Sequence, residues 1–478
     1  MFKKAMSHFI IIILVLIPMA ALADLGQVVT SKDIEITMMG ALQTLPHFIA
    51  NPDFNSKQTK YDMVGDEAGL MTDHAIRTEA RVGWKAAAKD WDFLLILEAD
   101  FLLNKVNVDR QTGFNNTNNA NGAATVWNPN NVTANSDTFG IEKINFGYDF
   151  GPMKLNTGWD TKFVDLMTGG LIYADDHPYI GFAGKFGKKN TWELLYITVQ
   201  DDVSNTGGVI DGDTLDWRMY TLRVGFNVNG FTLAPIYVFS DNSMREADVH
   251  YMGVEGYGPI GIFTPRFELA YAFGDKADKD ISAWAAFASL EVAINKAFVP
   301  YAGGYYLTGD DDATDDDINA YNGTSTNSRY APTFGMANAF IYRAVPALGS
   351  TLYENNFNLL GSTTGYGGIS NSSKGDAPGL IMFGAGAKGA ISEKLSYKTQ
   401  AMYFMFEEDG ALEKTAKKSI SNDVGLELDL QLTYKFNSHF SIGNVVSVFF
   451  AGDSIQDRLG KDYDTTAVMD TIEMIWNF

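Results

Sequence analysis

Two neighbouring segments of the chain, 76–88 and 91–104, place charged side chains at every second position. In chain order these residues are Arg77, Glu79, Arg81 and Lys85, followed by Glu98 and Asp100. If the two segments form adjacent strands, the charged side chains share one face and make a cross-strand ladder of opposite charges. Such a ladder performs no covalent step, but on a water-facing wall it selects which ions pass.

Later segments repeat this pattern and extend the same polar face. The added residues are Arg223, Arg266, Glu268, Asp423, Glu427 and Asp429. The net sign of the face is mixed to acidic, which predicts a preference for cations or neutral solutes over anions. The alternative is that these groups only solvate and brace the wall, and the sequence leaves both interpretations open.

An acidic run at 309–317 offers oxygen ligands for a divalent cation. Its candidate ligands are Asp310, Asp312, Asp315 and Asp317. Clustered carboxylates of this kind hold Ca²⁺ or Mg²⁺, although the spacing here lacks the glycine and the glutamate of an EF-hand loop. A solvated acidic loop without a metal is the alternative. We expect no other cofactor.

The sequence contains no arrangement of residues that predicts an enzyme. The segment 452–455 reads Gly-Asp-Ser-Ile, as at the start of a GDSL hydrolase motif, but it follows a late strand and not the first strand of an α/β domain. None of the six histidines has an evident nucleophile partner. The absence of Cys excludes a disulfide framework, a thiolate metal site and covalent attachment of c-type haem.

The composition narrows the class of protein further. The chain has 478 residues and a formal charge of −22, and so acidic a chain is not expected to bind nucleic acid, whose phosphates require Lys and Arg. Its longest apolar run, 9–23, is shorter than the roughly 20 residues of a transmembrane helix. That run follows Lys3 and Lys4 and ends in Ala-Leu-Ala. We therefore expect a signal peptide at 1–23 and a single exported domain at 24–478.

The expected domain consists of strands with one apolar and one polar face. Alternation is clearest at 76–88, 91–104, 220–228, 265–274 and 423–436. A β-sandwich produces the same local pattern, but globular strands cluster near five or six residues. Strands of ten residues or more, with aromatic residues towards the ends of the apolar face, are typical of a transmembrane barrel. The sequence therefore predicts an all-β, antiparallel, up-and-down transmembrane barrel.

The strand count follows from the spacing of these segments. Nineteen candidates can be placed, one of them at 333–343, and bacterial barrels have even strand numbers. We predict eighteen strands, with sixteen as the alternative. Short turns alternate with long loops, the longest at 105–137, 309–332 and 344–378, and the apolar residues of the last loop predict that it folds inward.

The last residues of the sequence alternate in the same way, with Ile472, Met474, Trp476 and Phe478 on one face. This segment resembles the C-terminal strand of bacterial outer-membrane barrels. The resemblance implies that Trp476 and Phe478 are read by the barrel-insertion machinery. It also implies a location in the outer membrane of a Gram-negative bacterium, in contact with lipid and lipopolysaccharide.

Two further segments resemble the alginate-export type of outer-membrane barrel. One is 304–312, a strand that runs into a Gly-Asp-rich loop, and the other is 425–429, continued by 449–453. The resemblance implies an eighteen-stranded barrel that passes an anionic polysaccharide along an arginine-rich lumen. This chain departs from that pattern because it is acidic and has few arginines.

From these observations we expect a porin-like channel for passive passage of small hydrophilic solutes or ions. The alternatives are a polysaccharide exporter, the barrel sheath of an electron-transfer conduit around a haem-protein partner, and a structural barrel with a closed lumen. The sequence leaves open the solute and the presence of a homo-oligomer or a periplasmic partner.

Overall fold

A computed structural model describes residues 28–31, 33–51, 54, 77–102, 138–165, 170–200, 216–312, 314–326, 378–464 and 466–478. Several predictions from the sequence lie outside these ranges. They are the signal peptide at 1–23, the loop at 105–137, nearly all of the loop at 344–378 and the candidate strand at 333–343.

Eighteen strands of nine to fourteen residues form one antiparallel sheet in chain order. They are β1 (Ile34–Leu45), β2 (Arg77–Ala87), β3 (Trp91–Leu102), β4 (Thr138–Asp149), β5 (Met153–Phe163), β6 (Tyr173–Phe186), β7 (Asn190–Gln200), β8 (Trp217–Val228), β9 (Phe231–Asn242), β10 (Ala247–Tyr257), β11 (Phe263–Lys276), β12 (Lys279–Val292), β13 (Val299–Leu307), β14 (Leu380–Ala390), β15 (Leu395–Met405), β16 (Asp423–Lys435), β17 (Phe440–Ala451) and β18 (Ala467–Asn477). Each corresponds to a strand predicted from alternation, and the predicted eighteen-stranded barrel is confirmed.

The sheet closes where β1 meets β18. Ala41 lies opposite Asn477 and Thr44 opposite Met474, and after Pro46 a short strand, His47–Ala50, continues the pairing with β18. The carbonyl of Pro46 accepts a hydrogen bond from the Ile472 amide at 3.0 Å. Pro46 has no backbone N–H to donate, but because its carbonyl is bonded it does not interrupt the seam. Closure removes the unpaired edges that a sheet could not expose to lipid.

The connections differ between the two ends of the barrel. At one end the strands are joined by tight turns such as Asn229–Gly230, where φ is +53° and +93°. Asn-Gly with two positive φ values is the type I′ turn that matches the twist of a hairpin. We call this the short-turn end and the opposite one the long-loop end. In outer-membrane barrels the short turns face the periplasm.

The outer face of the barrel carries large apolar side chains in two aromatic belts. Near the long-loop end, His250 stacks between Phe239 and Phe273 at centroid distances of 4.8 and 5.1 Å. Near the short-turn end, Phe440 stacks on Trp476 at 4.5 Å. Such belts mark the two membrane–water interfaces of a barrel.

The described helical elements are short and lie in loops. They are α1 (Gly410–Ala416), α2 (Asp453–Leu459) and one 3₁₀ turn, Ser243–Arg245. Within the part of the chain that the structure describes, no helix is long and apolar enough to cross a membrane.

The apolar core lies inside the barrel. It joins inner-wall residues of β6–β18 to side chains from connecting segments, among them Phe54, Ile172, Tyr321 and Leu412. The Phe54 ring lies 5.6 Å from that of Phe449 on β17. The barrel is therefore partly filled by its own connections.

Candidate functional site

The charged residues predicted on β2 and β3 form a cluster around one guanidinium group. Arg81 Nε lies 2.5 Å from a carboxylate oxygen of Glu98 and 2.9 Å from one of Glu79. Arg81 Nη2 lies 2.8 Å from Glu142 on β4. One cation therefore faces three carboxylates, and we call these four residues the Arg81 cluster.

Glu142 enters the cluster through a β-bulge. In the pairing of β3 with β4, Ile96 lies opposite Lys143 and Leu97 opposite Ile141, so Glu142 is the extra residue. A bulge re-aims one side chain without ending the strand. Alternation alone did not identify Glu142 as a site residue. One feature of the sequence does indicate the bulge. The apolar residues Ile141 and Ile144 are three positions apart, with two consecutive charged residues between them.

The predicted ladder of opposite charges is only partly formed. Arg81 lies directly opposite Glu98, but Glu79 lies opposite Asp100, which sets two acidic residues against each other. Lys85 lies opposite Leu94 and Arg77 opposite Leu102. For Arg77 and Asp100 the structure describes the backbone and not the side chain.

A second group of charges continues around the inner wall on β4–β6. Lys143 Nζ lies 2.6 Å from Asp160 Oδ1, and Asn145 Nδ2 donates to Asp160 Oδ2 at 2.7 Å. The Tyr179 hydroxyl donates to Asn145 Oδ1 at 3.0 Å, and Lys162 Nζ lies 3.9 Å from the centre of the Tyr179 ring. None of these residues was among the predicted set.

Two predicted arginines also have carboxylate partners on the wall. Arg223 Nε donates to Glu255 Oε1 at 2.8 Å. Arg266 Nη1 lies 2.8 Å from Glu291 Oε1, and Lys388 Nζ lies 2.7 Å from the same oxygen. Because each arginine is already paired, neither presents an isolated positive charge to the lumen.

Three of the predicted acidic residues lie on the inner face but are covered. Glu268, Glu427 and Asp429 retain 1%, 0% and 3% of their accessible surface. Asp429 Oδ2 accepts a hydrogen bond from Gln400 at 2.8 Å. The prediction that they form water-facing lining therefore needs correction, because alternation identifies the inner face without showing what packs against it.

Asp423 departs from the predicted face altogether. A bulge between Phe404 and Met405 shifts the register of β15 with β16. Asp423 Oδ1 accepts a hydrogen bond from the Tyr403 hydroxyl at 2.8 Å, and the Tyr403 ring packs against the exposed Phe383. Asp423 thus lies with outward-facing aromatic residues and not with Glu427 and Asp429.

The acidic run does not assemble the predicted metal site. Asp310 Oδ1, Asp312 Oδ1 and Asp315 Oδ1 each accept a backbone N–H two residues further along, from Asp312, Thr314 and Asp317 respectively. Asp312 Oδ2 also lies 2.6 Å from Lys414 Nζ on α1. Three of the carboxylates are thus used in local turns, and among the described residues no group of three or more His, Cys, Asp or Glu could hold a metal ion.

The segment 308–326, part of the predicted loop 309–332, crosses the barrel interior near the long-loop end. It pairs with β12 through Asp317–Ile318 and with the start of β6 through Ser325–Thr326. We call it the crossing segment. The sequence predicted an inward fold for a different loop, 344–378.

Hydrogen bonds fix the crossing segment to β10 and to the β5–β6 connection. The Tyr251 hydroxyl on β10 donates to the Asn322 carbonyl at 3.0 Å, and the Tyr321 hydroxyl donates to the Leu171 carbonyl at 3.2 Å. The Thr324 amide donates to the Ile172 carbonyl at 2.7 Å. Burial raises the pKa of Tyr321 well above its ordinary value, so its hydroxyl keeps the proton that it donates.

The β5–β6 connection that receives these bonds is fixed by a buried carboxylate. Asp165, which is fully buried, accepts hydrogen bonds from the backbone amides of Ile172 and Tyr173, both at 3.0 Å. A charge-assisted pair of this kind is stronger than a neutral one. The backbone at Ile172 and Tyr173 is therefore held in place beside the crossing segment.

The fold of the closed barrel matches that of known structures. OccAB2 of Acinetobacter baumannii shares 11% sequence identity and a TM-score of 0.52, over 92% of this chain and 98% of its own. OccK8 (OprE) of Pseudomonas aeruginosa shares 10% identity and a TM-score of 0.52, over 93% of this chain and 98% of its own. The chain has the fold of outer-membrane porins.

A third structure, P. aeruginosa OpdK with vanillate, shares 8% identity and a TM-score of 0.51, covering 92% of this chain and 98% of that one. No family model and no curated protein sequence matches the chain. At such low identity the likeness establishes the fold alone. The predicted bacterial porin-like barrel is thereby confirmed, and the solute has to be argued from the wall.

Proposed function

We propose that the protein is an outer-membrane channel for passive passage of small hydrophilic solutes and ions, with a preference for cations and neutral solutes over anions. The observation that carries the proposal is a closed barrel with an apolar outer face and charged side chains along its inner wall. A polar inner wall replaces part of the hydration that a solute loses on entry. The reported relatives by fold are porins, which supports the same class of function.

The cation preference follows from the Arg81 cluster. In this cluster three carboxylates lie within 2.9 Å of one guanidinium, so acidic groups outnumber basic ones in the cluster, on a part of the wall that is in contact with water. A fixed negative potential raises the local concentration of cations and lowers that of anions. Arg223 and Arg266, two more of the predicted arginines, pair with Glu255 and Glu291, and Lys388 shares Glu291 with Arg266.

The same charges count against the alternative of a polysaccharide exporter. A polyanion needs unpaired cationic groups along its path, and Arg81, Arg223 and Arg266 are each paired with carboxylates. The crossing segment likewise leaves less room for a haem protein threaded through the barrel. We therefore favour the solute channel over the polysaccharide exporter and the electron-transfer conduit.

Single-channel recording tests the proposal. The purified, refolded chain is inserted into a planar bilayer with a tenfold KCl gradient, and current is recorded at zero and applied voltage. We expect steady ohmic steps and a reversal potential of the sign set by K⁺ selectivity. A folded barrel that conducts no current contradicts the channel, and a reversal potential of the opposite sign contradicts the cation preference.

The proposed location is tested separately by membrane fractionation. We expect the mature chain in the outer membrane, inserted by the barrel-insertion machinery and surrounded by lipid and lipopolysaccharide. Recovery in the soluble periplasmic fraction would contradict this location.

A further inference from the structure

We infer that solutes pass along one arc of the barrel wall, formed by β2–β5, while much of the wall on β9–β18 is sealed by the protein's own interior. This inference rests on the proposed channel function and specifies its route. It also assigns a solute-contacting role to Glu142, Lys143 and Asp160, which the sequence did not predict.

The inner face of β2–β5 remains open to water. In these four strands, every inward-facing side chain that the structure describes is at least partly exposed, apart from two glycines. Arg81 retains 31% of its side-chain surface, and Lys143 retains 24%. At the short-turn end of the same arc, Lys154 and Asp92 form an ion pair that is more than one-third exposed. Charged groups thus face water along much of the arc.

Much of the inner face of β9–β18 is different, because buried side chains form rows in it. On β9 the rows include Ala234, Ile236 and Val238, all buried. On β12 they include Ala283 and Ala285, with no exposed surface, and on β17 they include Val445, also with none. Rows of small and apolar inward residues are suited to packing against protein and not to lining a water-filled passage.

Side chains from the connecting segments cover this wall. Ile172 approaches β10 so closely that a Cβ atom on Gly253 would lie 3.1 Å from its Cδ1. The Tyr321 ring meets the Tyr251 ring edge to face at 6.3 Å, and Phe54 packs on Phe449. These contacts belong to one apolar cluster, and hydrated solutes are excluded where it packs against the wall.

The chemistry of the open arc defines the class of solute. A solute on this route contacts the carboxylate-rich Arg81 cluster and, on the adjacent strands, Lys143, Lys162 and Asp160. Carboxylates of the Arg81 cluster lie beside the ammonium groups of Lys143 and Lys162, so the arc is complementary to a solute that has a positively charged group with a carboxylate next to it. We therefore assign small cations and zwitterions such as amino acids as the preferred solutes.

Cysteine accessibility tests the route, and the chain contains no Cys that would interfere. Lys85→Cys and Asn156→Cys place a thiol on the open arc. Ala285→Cys and Val445→Cys place one on the sealed wall, with a minimal change of side-chain volume. Glu393→Cys, in an exposed turn at the short-turn end, is the control for labelling without an effect on current. Each variant is treated with a cationic methanethiosulfonate reagent during single-channel recording.

We expect the two open-arc thiols to react and to reduce the single-channel current in discrete steps. The sealed-wall thiols react only when the structure opens locally, so we expect labelling slower by more than about tenfold. If both sealed-wall variants react as fast as Lys85→Cys and reduce the current equally, the one-sided route is wrong. If unmodified protein conducts no current at all, the channel function itself fails, and the two failures are therefore distinguishable.

The proposed solute class is tested by a separate measurement of solute entry. Proteoliposome swelling is compared for glycine, a neutral sugar of similar size and the anion acetate. We expect glycine to enter faster than acetate, and Glu142→Gln to reduce that difference. Equal rates for the three solutes would contradict the assignment of solute class.

Discussion

Phe478 and Gly40 exchange both of their backbone hydrogen bonds, each at 3.0 Å, and thereby close one end of the seam between β1 and β18. The Phe478 ring lies over Gly40 so closely that a Cβ atom there would come within 2.2 Å of the ring. Glycine on β1 thus leaves room for the aromatic side chain at the end of β18 to cover the seam, and a larger residue there would displace the ring. The residue predicted as an insertion signal is also a structural part of the closure.

This relationship predicts the effect of Phe478→Ala. The backbone pair is retained, but the ring that covers the seam is lost, so we expect less folded barrel in the outer membrane. Phe263→Ala is the matched control, because Phe263 is a similarly exposed aromatic residue at the short-turn end of β11 and lies away from the seam. The measurement is the folded fraction in isolated membranes. Equal yields for the two variants would contradict a special role for Phe478.

Charge substitutions in the Arg81 cluster should shift selectivity in opposite directions. Arg81→Gln removes the cation that compensates three carboxylates, so we expect a more strongly cation-selective reversal potential in a KCl gradient. Glu142→Gln removes one carboxylate and should reduce cation selectivity. Glu393→Gln, in the exposed turn, is the control and should change neither. Identical reversal potentials for all three variants would show that the cluster only braces the wall.

The crossing segment should become more mobile when its tyrosine hydroxyls are removed. Tyr321→Phe and Tyr251→Phe each remove one buried hydrogen bond, typically worth about 1 kcal/mol, and leave a carbonyl without that donor. We expect more flicker in the open-channel current, and the largest effect in the double variant. Tyr237→Phe, which removes a hydroxyl on the outer face, is the control. Open-channel noise of wild-type magnitude in the double variant would contradict this account.

The pH dependence of stability should change in Asp310→Asn. Burial raises the pKa of Asp310 above its ordinary value near 3.8, so the folded state holds the proton more tightly than the unfolded state. Ionisation of Asp310 therefore reduces stability as pH rises above that value. An asparagine keeps the oxygen that accepts the Asp312 amide without the charge.

We accordingly expect Asp310→Asn to raise the melting temperature at pH 7 and to leave it nearly unchanged at pH 2.5. The control is Asp278→Asn, in an exposed turn between β11 and β12. A lower melting temperature of Asp310→Asn at pH 7 would mean that the carboxylate stabilises the loop.

The wall of the barrel could be predicted from the sequence because the alternation of apolar and polar residues is visible within each strand by itself. Alternation along 423–436, for example, depends on residues two positions apart, and the structure places β16 at Asp423–Lys435. The same local rule located Arg81 opposite Glu98. What it missed, Glu142, depends on a bulge, which shifts the alternation by one residue within the strand.

The interior could not be predicted in the same way. The crossing segment is held by Tyr251, about 70 residues before it in the chain, and by the carbonyl of Leu171, 150 residues before Tyr321. Contacts at such separations leave no periodic pattern in the sequence. For this reason Glu268 and Glu427 were predicted on the correct face, while their burial was not anticipated.

The crossing segment also has a consequence for how such channels diversify. Its sequence lies between β13 and β14, so it can be lengthened, shortened or replaced without altering any residue of the eighteen strands. The width and selectivity of the passage can therefore evolve separately from the wall that anchors it in lipid. The same eighteen-stranded wall can in this way serve channels that transport different solutes.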